Sequence, residues 1–369
     1  MSDGKKLIIT DEDLSRMPAS TAAPMPPIGA PGAPAAGALP PVAGVKPAPL
    51  QLGGMTGRSA AGGLNLRSTL VMSTIGALVA ALAAWLLLEL ITDDNAAGEH
   101  LVRTTALQFG AAGAVFGAIY AAWEDLTSRV WEAALPAAGI GAAIGAVCGA
   151  ISGAIAQELY ASIIRDIVVQ ALTTGDDISA TDFKLCAARA LAWAIFGAGI
   201  GLAAGAAKRS GRKTVNALVG GTVGAAIGGF LFNYIGEATD SATASRLIGL
   251  AVVGLAMGAA IGLVETARRQ AWIKLVSGGM AGKEFILYHA NTIVGSSPKA
   301  QITLIKDPAV APMHFRIDEQ GPRRALTAFD GCPVSINGTP VTSHWLRDGD
   351  MVQVGGTAFA YSERTVAGV

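Results

Sequence analysis

Six apolar segments, joined by polar connections, constrain the fold of this chain more than any other feature. A helix needs about 20 mostly apolar residues to cross the hydrocarbon of a bilayer. The segments that qualify are roughly Ser68–Ile91, Thr105–Trp123, Ala134–Ala156, Ala188–Ala207, Thr214–Ile235 and Leu247–Val264. Charged residues make up 15% of the chain, whereas a soluble domain has about 25%. The sequence therefore predicts an α-helical transmembrane bundle of about six spans over residues 68–264.

Glycines recur every four residues in most of these segments, which places them on one face of each helix. Such a face lets a neighbouring backbone approach closely, and close packing drives helix association in lipid. The predicted packing residues are Gly141, Gly145, Gly149, Gly153, Gly197, Gly201, Gly205, Gly220, Gly224, Gly228, Gly254, Gly258 and Gly262. We predict a glycine-zipper bundle, and the same faces offer a route to a homo-oligomer.

The charges of the connections predict the orientation of the spans. Basic residues lie in the segment Lys208–Lys213 and at Arg268 and Arg269, and acidic residues follow the first and third spans. The segment around Glu124 and Asp125 does not discriminate. Because basic residues mark the cytoplasmic side, we predict a multi-pass protein of the cytoplasmic (inner) membrane with both termini in the cytoplasm.

The regions that flank the spans have a different composition. Ten of the 17 prolines fall between Pro18 and Pro49, mixed with alanine and glycine. Such a composition cannot easily order a core. Residues 1–67 are therefore predicted to form a disordered Pro/Ala/Gly-rich tail. Residues 265–282 are predicted to be a linker, and residues 364–369 a short C-terminal tail.

An internal repeat leaves a second function open. Arg189 and Arg246 each precede glycines at offsets of 8, 12 and 16 residues. Repeated units occur in transporters, so a small channel or transporter, regulated by the C-terminal domain, is the alternative. Duplication of a packing helix is favoured, because the spans hold few of the ionisable groups that transport pathways use.

Residues 283–363 change to short β-rich runs separated by turn signals. Asn337-Gly338 and Asp348-Gly349 are two of these signals. Many short strands at such spacing predict an all-β sandwich. The fold class is thus multi-domain: a disordered N-terminus, a helical bundle and a C-terminal sandwich.

This C-terminal stretch resembles a forkhead-associated (FHA) domain. The matching residues are Ile293–Ser297, Ile302–Leu304, Ala311–Ile317, Ile336–Val341 and Leu346–Gly355. The resemblance implies an eleven-stranded sandwich whose apical loops bind phosphothreonine peptides. Degenerate FHA-like domains also resemble the cytoplasmic parts of bacterial membrane secretion components, which mediate assembly.

The family's phosphate-binding residues are replaced in this chain. The resemblance implies an arginine after Gly295, where Ser296 stands, and a serine three residues before His314, where Ala311 stands. The candidate ligand-binding residues are Ser296, Ser297, Lys299, Ala311, Asp330 and Cys332. The candidate scaffold residues are Gly295, His314, Asn337, Gly338, Asp348 and Gly349. Arg323 and Arg324 are basic but belong to a predicted hairpin, where a solvated face is expected. Since phosphate is best bound by arginine, binding of an unmodified partner or simple structural docking of the domain is favoured over phosphothreonine binding.

The sequence also argues against other classes of function. Lys+Arg and Asp+Glu both total 27, so nucleic-acid binding by excess positive charge is not expected. Three cysteines without ligand spacing predict no metal site, and neither a catalytic signature nor a cofactor-binding loop is recognisable. We predict a non-enzymatic membrane scaffold or adaptor without a cofactor. Its expected partners are membrane lipid and a cytoplasmic protein, with phosphothreonine recognition left open.

Overall fold

The structure is a computed structural model, and it describes residues 65–92, 101–174, 182–239, 241–304 and 307–364. All of these belong to one unit of the chain, Gly57–Val369. The N-terminal tail predicted to be disordered falls almost entirely outside the described residues, as does most of the C-terminal tail. Both tails stay predictions.

Six helices within the described residues are long and apolar enough to cross a membrane, which confirms the predicted bundle. They are α1 Thr69–Ile91, α2 Leu101–Thr127, α3 Trp131–Thr174, α4 Phe183–Ala207, α5 Gly211–Glu237 and α6 Ala242–Arg268. An even number of crossings puts the start of α1 and the end of α6 on the same side. Accordingly, the Arg67 guanidinium donates to the Ala281 carbonyl, 2.7 Å away, in the domain that follows α6.

Side-chain caps explain where four of the helices begin. Ser68, Asp182, Ser210 and Ser241 stand directly before α1, α4, α5 and α6. Each accepts a hydrogen bond from a backbone N–H of the first turn, at 2.7 Å for Asp182 and at 3.3 to 3.4 Å for the serines. These bonds satisfy N–H groups that have no partner within the helix.

α3 is much longer than the span predicted for it. Its 44 residues extend about 66 Å at 1.5 Å per residue, about twice the thickness of the hydrocarbon. The predicted span Ala134–Ala156 covers only part of it, and Asp166 lies on the helix rather than in the expected loop. The reason is that residues 157–174 contain no glycine or proline to end the helix.

Glycines let the backbones of neighbouring helices touch. In the antiparallel pair α2 and α3, Gly113 lies against the carbonyl of Gly145, and Gly117 against the carbonyl of Gly141. A β-carbon at any of these four positions would overlap the opposing main chain. Because no rotamer change can relieve such an overlap, this pair of helices depends on glycine.

The other predicted packing glycines lie at similar contacts between helices. They are Gly149 and Gly153 against α2, Gly197, Gly201 and Gly205 against α5, Gly220, Gly224 and Gly228 against α6, and Gly254, Gly258 and Gly262 against α1. Since α1 packs on α2 and α3 on α4, the helices form a closed ring in chain order. A homo-oligomer through the same faces would have to displace the chain's own helices, and it stays a prediction.

The C-terminal part is an all-β sandwich, as predicted. Its strands are β1 Ala271–Leu275, β2 Glu284–Ile286, β3 Asn291–Gly295, β4 Ile302–Thr303, β5 Phe315–Gln320, β6 Arg323–Ala328, β7 Val334–Ile336, β8 Thr339–Val341, β9 Ser343–Leu346, β10 Met351–Val354 and β11 Thr357–Glu363. One sheet has the order β2-β1-β11-β10-β7-β8, and the other β4-β3-β5-β6-β9. Ile273, Phe315 and Phe359 belong to the core between them.

Two features differ from the sequence-based expectation. The predicted linker 265–282 contains the end of α6 and strand β1, which pairs with both β2 and β11. Ala271, Ile273 and Leu275 are buried and alternate with more exposed residues, which is the pattern of a half-buried strand. Arg324, expected on a solvated hairpin face, is buried, and its guanidinium lies 3.6 Å from the Glu319 carboxylate.

Candidate functional site

The apical loops of the sandwich are the β3–β4, β4–β5 and β6–β7 connections, and they carry the predicted ligand-binding residues. Ser296 donates its backbone N–H to the Ala311 carbonyl at 2.9 Å, and Ser297 donates to the Pro312 carbonyl at 3.1 Å. A β-carbon at Gly295 would overlap the Pro312 carbonyl. Glycine at this position is therefore what allows the first two loops to touch.

His314 joins the β4–β5 loop to the β6–β7 loop. Its side chain is 1% exposed. The Nδ1 atom accepts a hydrogen bond from the Ala311 N–H at 3.0 Å, and Nε2 lies 3.1 Å from the Pro333 carbonyl. A carbonyl can only accept, so the proton of a neutral imidazole lies on Nε2. With both ring nitrogens occupied, His314 braces the loops rather than facing a ligand.

The apical loops carry little net charge. Lys299 and Asp330 are exposed, and Cys332 is half-buried with its thiol 3.8 Å from the Met313 carbonyl. The six predicted ligand-binding residues thus bring together one cation, one anion, two hydroxyls and a thiol. Such a surface offers hydrogen bonds to a protein, whereas a phosphate dianion is best bound by charge-assisted donors.

The other predicted scaffold residues shape turns at the ends of the strands opposite these loops. Asn337 and Gly338 have φ angles of +53° and +82°, as in the two-residue turns that join twisted strands. The Asn337 amide donates to the Asp350 carboxylate at 2.9 Å, which links this turn to the one before β10. In that second turn Gly349 has a φ angle of +88°, and Asp348 accepts from the backbone of β11 at 3.0 Å.

The helices contact the sandwich along its β2 edge, including the β1–β2 connection, and at the end of β5 opposite the apical loops. β5 begins after His314, at the apical loops, and runs to Glu319, which forms a two-point ion pair with Arg212 at 2.8 and 3.1 Å. The bonds from Arg212 hold the pKa of the Glu319 carboxyl below its ordinary value. Arg269 and Glu284 form a second pair at 3.0 Å. Within the described residues, no hydrogen bond or ion pair joins the three apical loops to the helices.

A cluster of charged side chains joins the helices to the sandwich. We call it the junction cluster, and it consists of Glu124, Asp125, Lys208, Lys213 and Lys283. Lys213 lies 2.9 Å from the Glu124 carboxylate, and Lys208 lies 2.5 Å from that of Asp125. The Lys283 ammonium donates to the Glu124 carbonyl at 3.2 Å and to the Ser128 hydroxyl.

Lys283 is the member of the junction cluster that comes from the sandwich, and it is 8% exposed. Burial lowers the pKa of its ammonium, and the Glu124 carboxylate acts in the opposite direction. A buried charge is tolerated only where it is paired and hydrogen-bonded. The position of Lys283 therefore depends on the end of α2 being in place, which couples the sandwich to the bundle.

Tyr288 forms a further contact beside the junction cluster. It follows β2 and lines a cavity of about 90 Å³ together with Glu265 near the end of α6. Burial, followed by the charges of Glu265 and Glu124, raises the pKa of the Tyr288 hydroxyl. The hydroxyl thus stays neutral at physiological pH, and residues of five helices line the cavity together with the sandwich.

Comparison with known families identifies the sandwich. Residues 274–364 match the family model described as the cytoplasmic domain of the inner membrane component of the T3SS. The sandwich is an FHA-type domain. The chain is thus a membrane protein that carries an FHA domain after six apolar helices.

Solved structures similar to the chain cover the FHA domain alone. The cytoplasmic domain of PscD from P. aeruginosa is 22% identical over 26% of this chain and 83% of that chain, with a TM-score of 0.24. The FHA domain of the CT664 protein from Chlamydia trachomatis is 23% identical over 26% of this chain and 99% of that chain, with a TM-score of 0.24. No curated protein matches the sequence at a significant level.

The junction cluster is the part of the site that sequence reasoning missed. From the sequence, the segment Lys208–Lys213 predicts only the membrane orientation, and Glu124 and Asp125 do not discriminate. One signal was available: with six spans, the end of α2 and the α4–α5 connection lie on the same side of the membrane as the FHA domain. Residues of opposite charge that lie on the same side of the membrane can form ion pairs.

Proposed function

We propose that this protein is a scaffold or adaptor of the inner membrane, whose FHA domain recruits a cytoplasmic protein partner through its apical loops. The observation that carries the proposal is that the helices hold the domain along its β2 edge, through Lys283, and at the Glu319 end of β5, while no hydrogen bond or ion pair of the described residues joins the helices to the apical loops. A domain held in this way presents its apical loops away from the bundle. The family description, a cytoplasmic domain of an inner membrane component, supports the location.

The partner is proposed to be an unmodified protein rather than a phosphothreonine peptide. Ser296 and Ala311 stand where the FHA family has its phosphate-binding arginine and serine, and Asp330 would repel a phosphate. The Ser296 and Ser297 hydroxyls and the exposed loop backbone suit hydrogen bonds to a polypeptide.

Photo-cross-linking in native membranes tests this proposal. We expect a photoreactive residue at the position of Asp330, in the full-length protein, to capture a discrete protein. The same residue at Gln320, which is exposed at the bundle end of β5, should not capture it. Equal capture at both positions contradicts recruitment through the apical loops. Loss of capture after phosphatase treatment contradicts an unmodified partner and indicates phosphothreonine binding instead.

Thiol labelling tests the proposed orientation. Cys332 should be protected from a membrane-impermeant maleimide in intact cells and should react after lysis, because the FHA domain is proposed to lie in the cytoplasm. Arg103→Cys introduces a thiol at an exposed position near the start of α2, at the opposite end of the bundle, and should react in intact cells. Reversal of the two patterns contradicts the orientation.

The alternative of a channel or transporter has less support from the described residues. Ile200 and Met257 are no more than 1% exposed and pack in the bundle core beside Phe196. Their side chains fill the region between the junction cluster and the opposite end of the bundle. A conducting pathway would need these side chains to move apart.

A further inference from the structure

The bundle encloses a chamber at the end opposite the FHA domain. Its volume is about 320 Å³, within the range of small-molecule sites. Residues from all six helices line it, and Phe109, Trp193 and Phe232 supply aromatic surface. The chamber reaches Arg246, which precedes Arg268 at the FHA end by 22 residues, or about 33 Å of helix. It is therefore separate from the junction cluster.

The two arginines that begin the repeated segments meet at this chamber. Arg189 of α4 and Arg246 of α6 both line it. Arg246 forms an ion pair with Glu89, at 3.1 Å. Among the described residues no carboxylate lies within ion-pair distance of Arg189, whose guanidinium stacks over the rings of Tyr160 and Phe232, 5.4 and 5.1 Å from their centroids. The chamber thus carries one positive charge that is not paired with a carboxylate of the described residues.

Within the part of the chain that the structure describes, Arg189 contacts aromatic rings and its guanidinium makes no hydrogen bond. A guanidinium has five N–H donors in a planar fork that matches a carboxylate or a phosphate. The polar side chains of Gln108 and Gln157 also line the chamber, and the rest of the lining is mainly apolar. A positive group beside a largely apolar chamber complements a molecule with an anionic head and an apolar body.

We propose that this chamber binds an anionic amphiphile, with its carboxylate or phosphate on Arg189 and its apolar part against Trp193 and Phe109. The ligand chemistry is shared by an anionic membrane lipid and by a free alkyl acid. The proposal is independent of partner recruitment by the FHA domain, since no residue is common to the two sites.

Quenching of Trp193 fluorescence tests the proposal on the full-length protein in phosphatidylcholine nanodiscs. We expect 8-bromooctanoate to quench saturably, and the saturable part to disappear in Trp193→Phe. Arg189→Gln should weaken binding at least about tenfold, because a charge-assisted bond is lost. Arg103→Gln, at an exposed position at the same end of the bundle, should leave binding unchanged. Bromooctanol should bind at least about tenfold more weakly than the acid.

A second variant keeps the proposal testable if Arg189→Gln fails to fold. Ala156→Leu fills the chamber from α3 and keeps the arginine, so it should also abolish saturable quenching while the thermal midpoint is retained. Equal binding by Arg189→Gln and the unchanged protein, or equal binding of acid and alcohol, overturns the proposal. Nanodiscs with phosphatidylglycerol separate the sources: competition with the acid supports a lipid occupant, and its absence supports a free alkyl acid.

Discussion

Gly145→Leu is expected to disassemble the helical bundle. A side chain at this position would overlap the Gly113 carbonyl and approach Gly117, so α2 and α3 would have to separate along their length. Overpacking of a well-packed core costs about 1 to 3 kcal/mol, occasionally more. We expect the overlap with the main chain to cost an amount near the upper end of this range, because the backbone cannot move aside as a side chain can. We expect loss of the monodisperse species and a lower thermal midpoint in detergent.

Gly139→Leu is the matched control. Gly139 lies on the same helix and on an exposed face, and a β-carbon there meets nothing within 4 Å. Like Gly145→Leu, this substitution replaces a glycine, which weakens a helix, with leucine. Its thermal midpoint should therefore equal or exceed that of the unchanged protein. If both variants behave alike, close contact between backbones does not hold α2 and α3 together.

Glu124→Ala is expected to release the FHA domain from the bundle. The substitution leaves the ammonium groups of Lys213 and Lys283 enclosed without their main carboxylate. Removing one partner of a fully buried ion pair costs about 3 to 5 kcal/mol, and the cost here should be smaller because the Glu124 side chain is partly exposed to solvent. We expect faster protease cleavage in the segment between Arg268 and Lys283, together with a lower midpoint of thermal unfolding.

Two further variants separate the loss of charge pairing from the loss of a carboxylate as such. Glu132→Ala removes a carboxylate at an exposed position at the start of α3, and its effect should stay within about 0.5 kcal/mol. Glu124→Leu combined with Lys213→Met should recover part of the lost stability, because both charges are removed together. If Glu124→Ala is as resistant to protease as the unchanged protein, the junction cluster does not hold the domain.

The helices were predictable because crossing a bilayer depends on local composition. The same argument could not locate the end of α3, since hydropathy does not tell where a helix continues beyond the lipid. The FHA fold was predictable from short motifs such as Asn337-Gly338, whose turn geometry is set by adjacent residues. Strand β1 was missed because its five residues follow directly on an apolar helix.

The site was predictable to the extent that it is local. Gly295 and Ser296 are neighbours in sequence, and the resemblance placed them in one loop. Glu124 and Lys213 are 89 residues apart, and their pairing depends on how the bundle closes. Arg324 was assigned to solvent because β6 was not recognised as a strand with a buried face.

The strand order of the first sheet determines which truncated forms of this protein are suitable for recombinant production. β1 lies between β2 and β11, so a polypeptide started at residue 283 loses the strand that holds β2 and uncovers a hydrogen-bonding edge. A fragment begun at Gln270 retains the sheet. In this fragment Lys283 and Tyr288, which contact the helices in the full-length protein, become exposed to solvent. Replacing Tyr288 with a polar residue should therefore help to keep the fragment soluble.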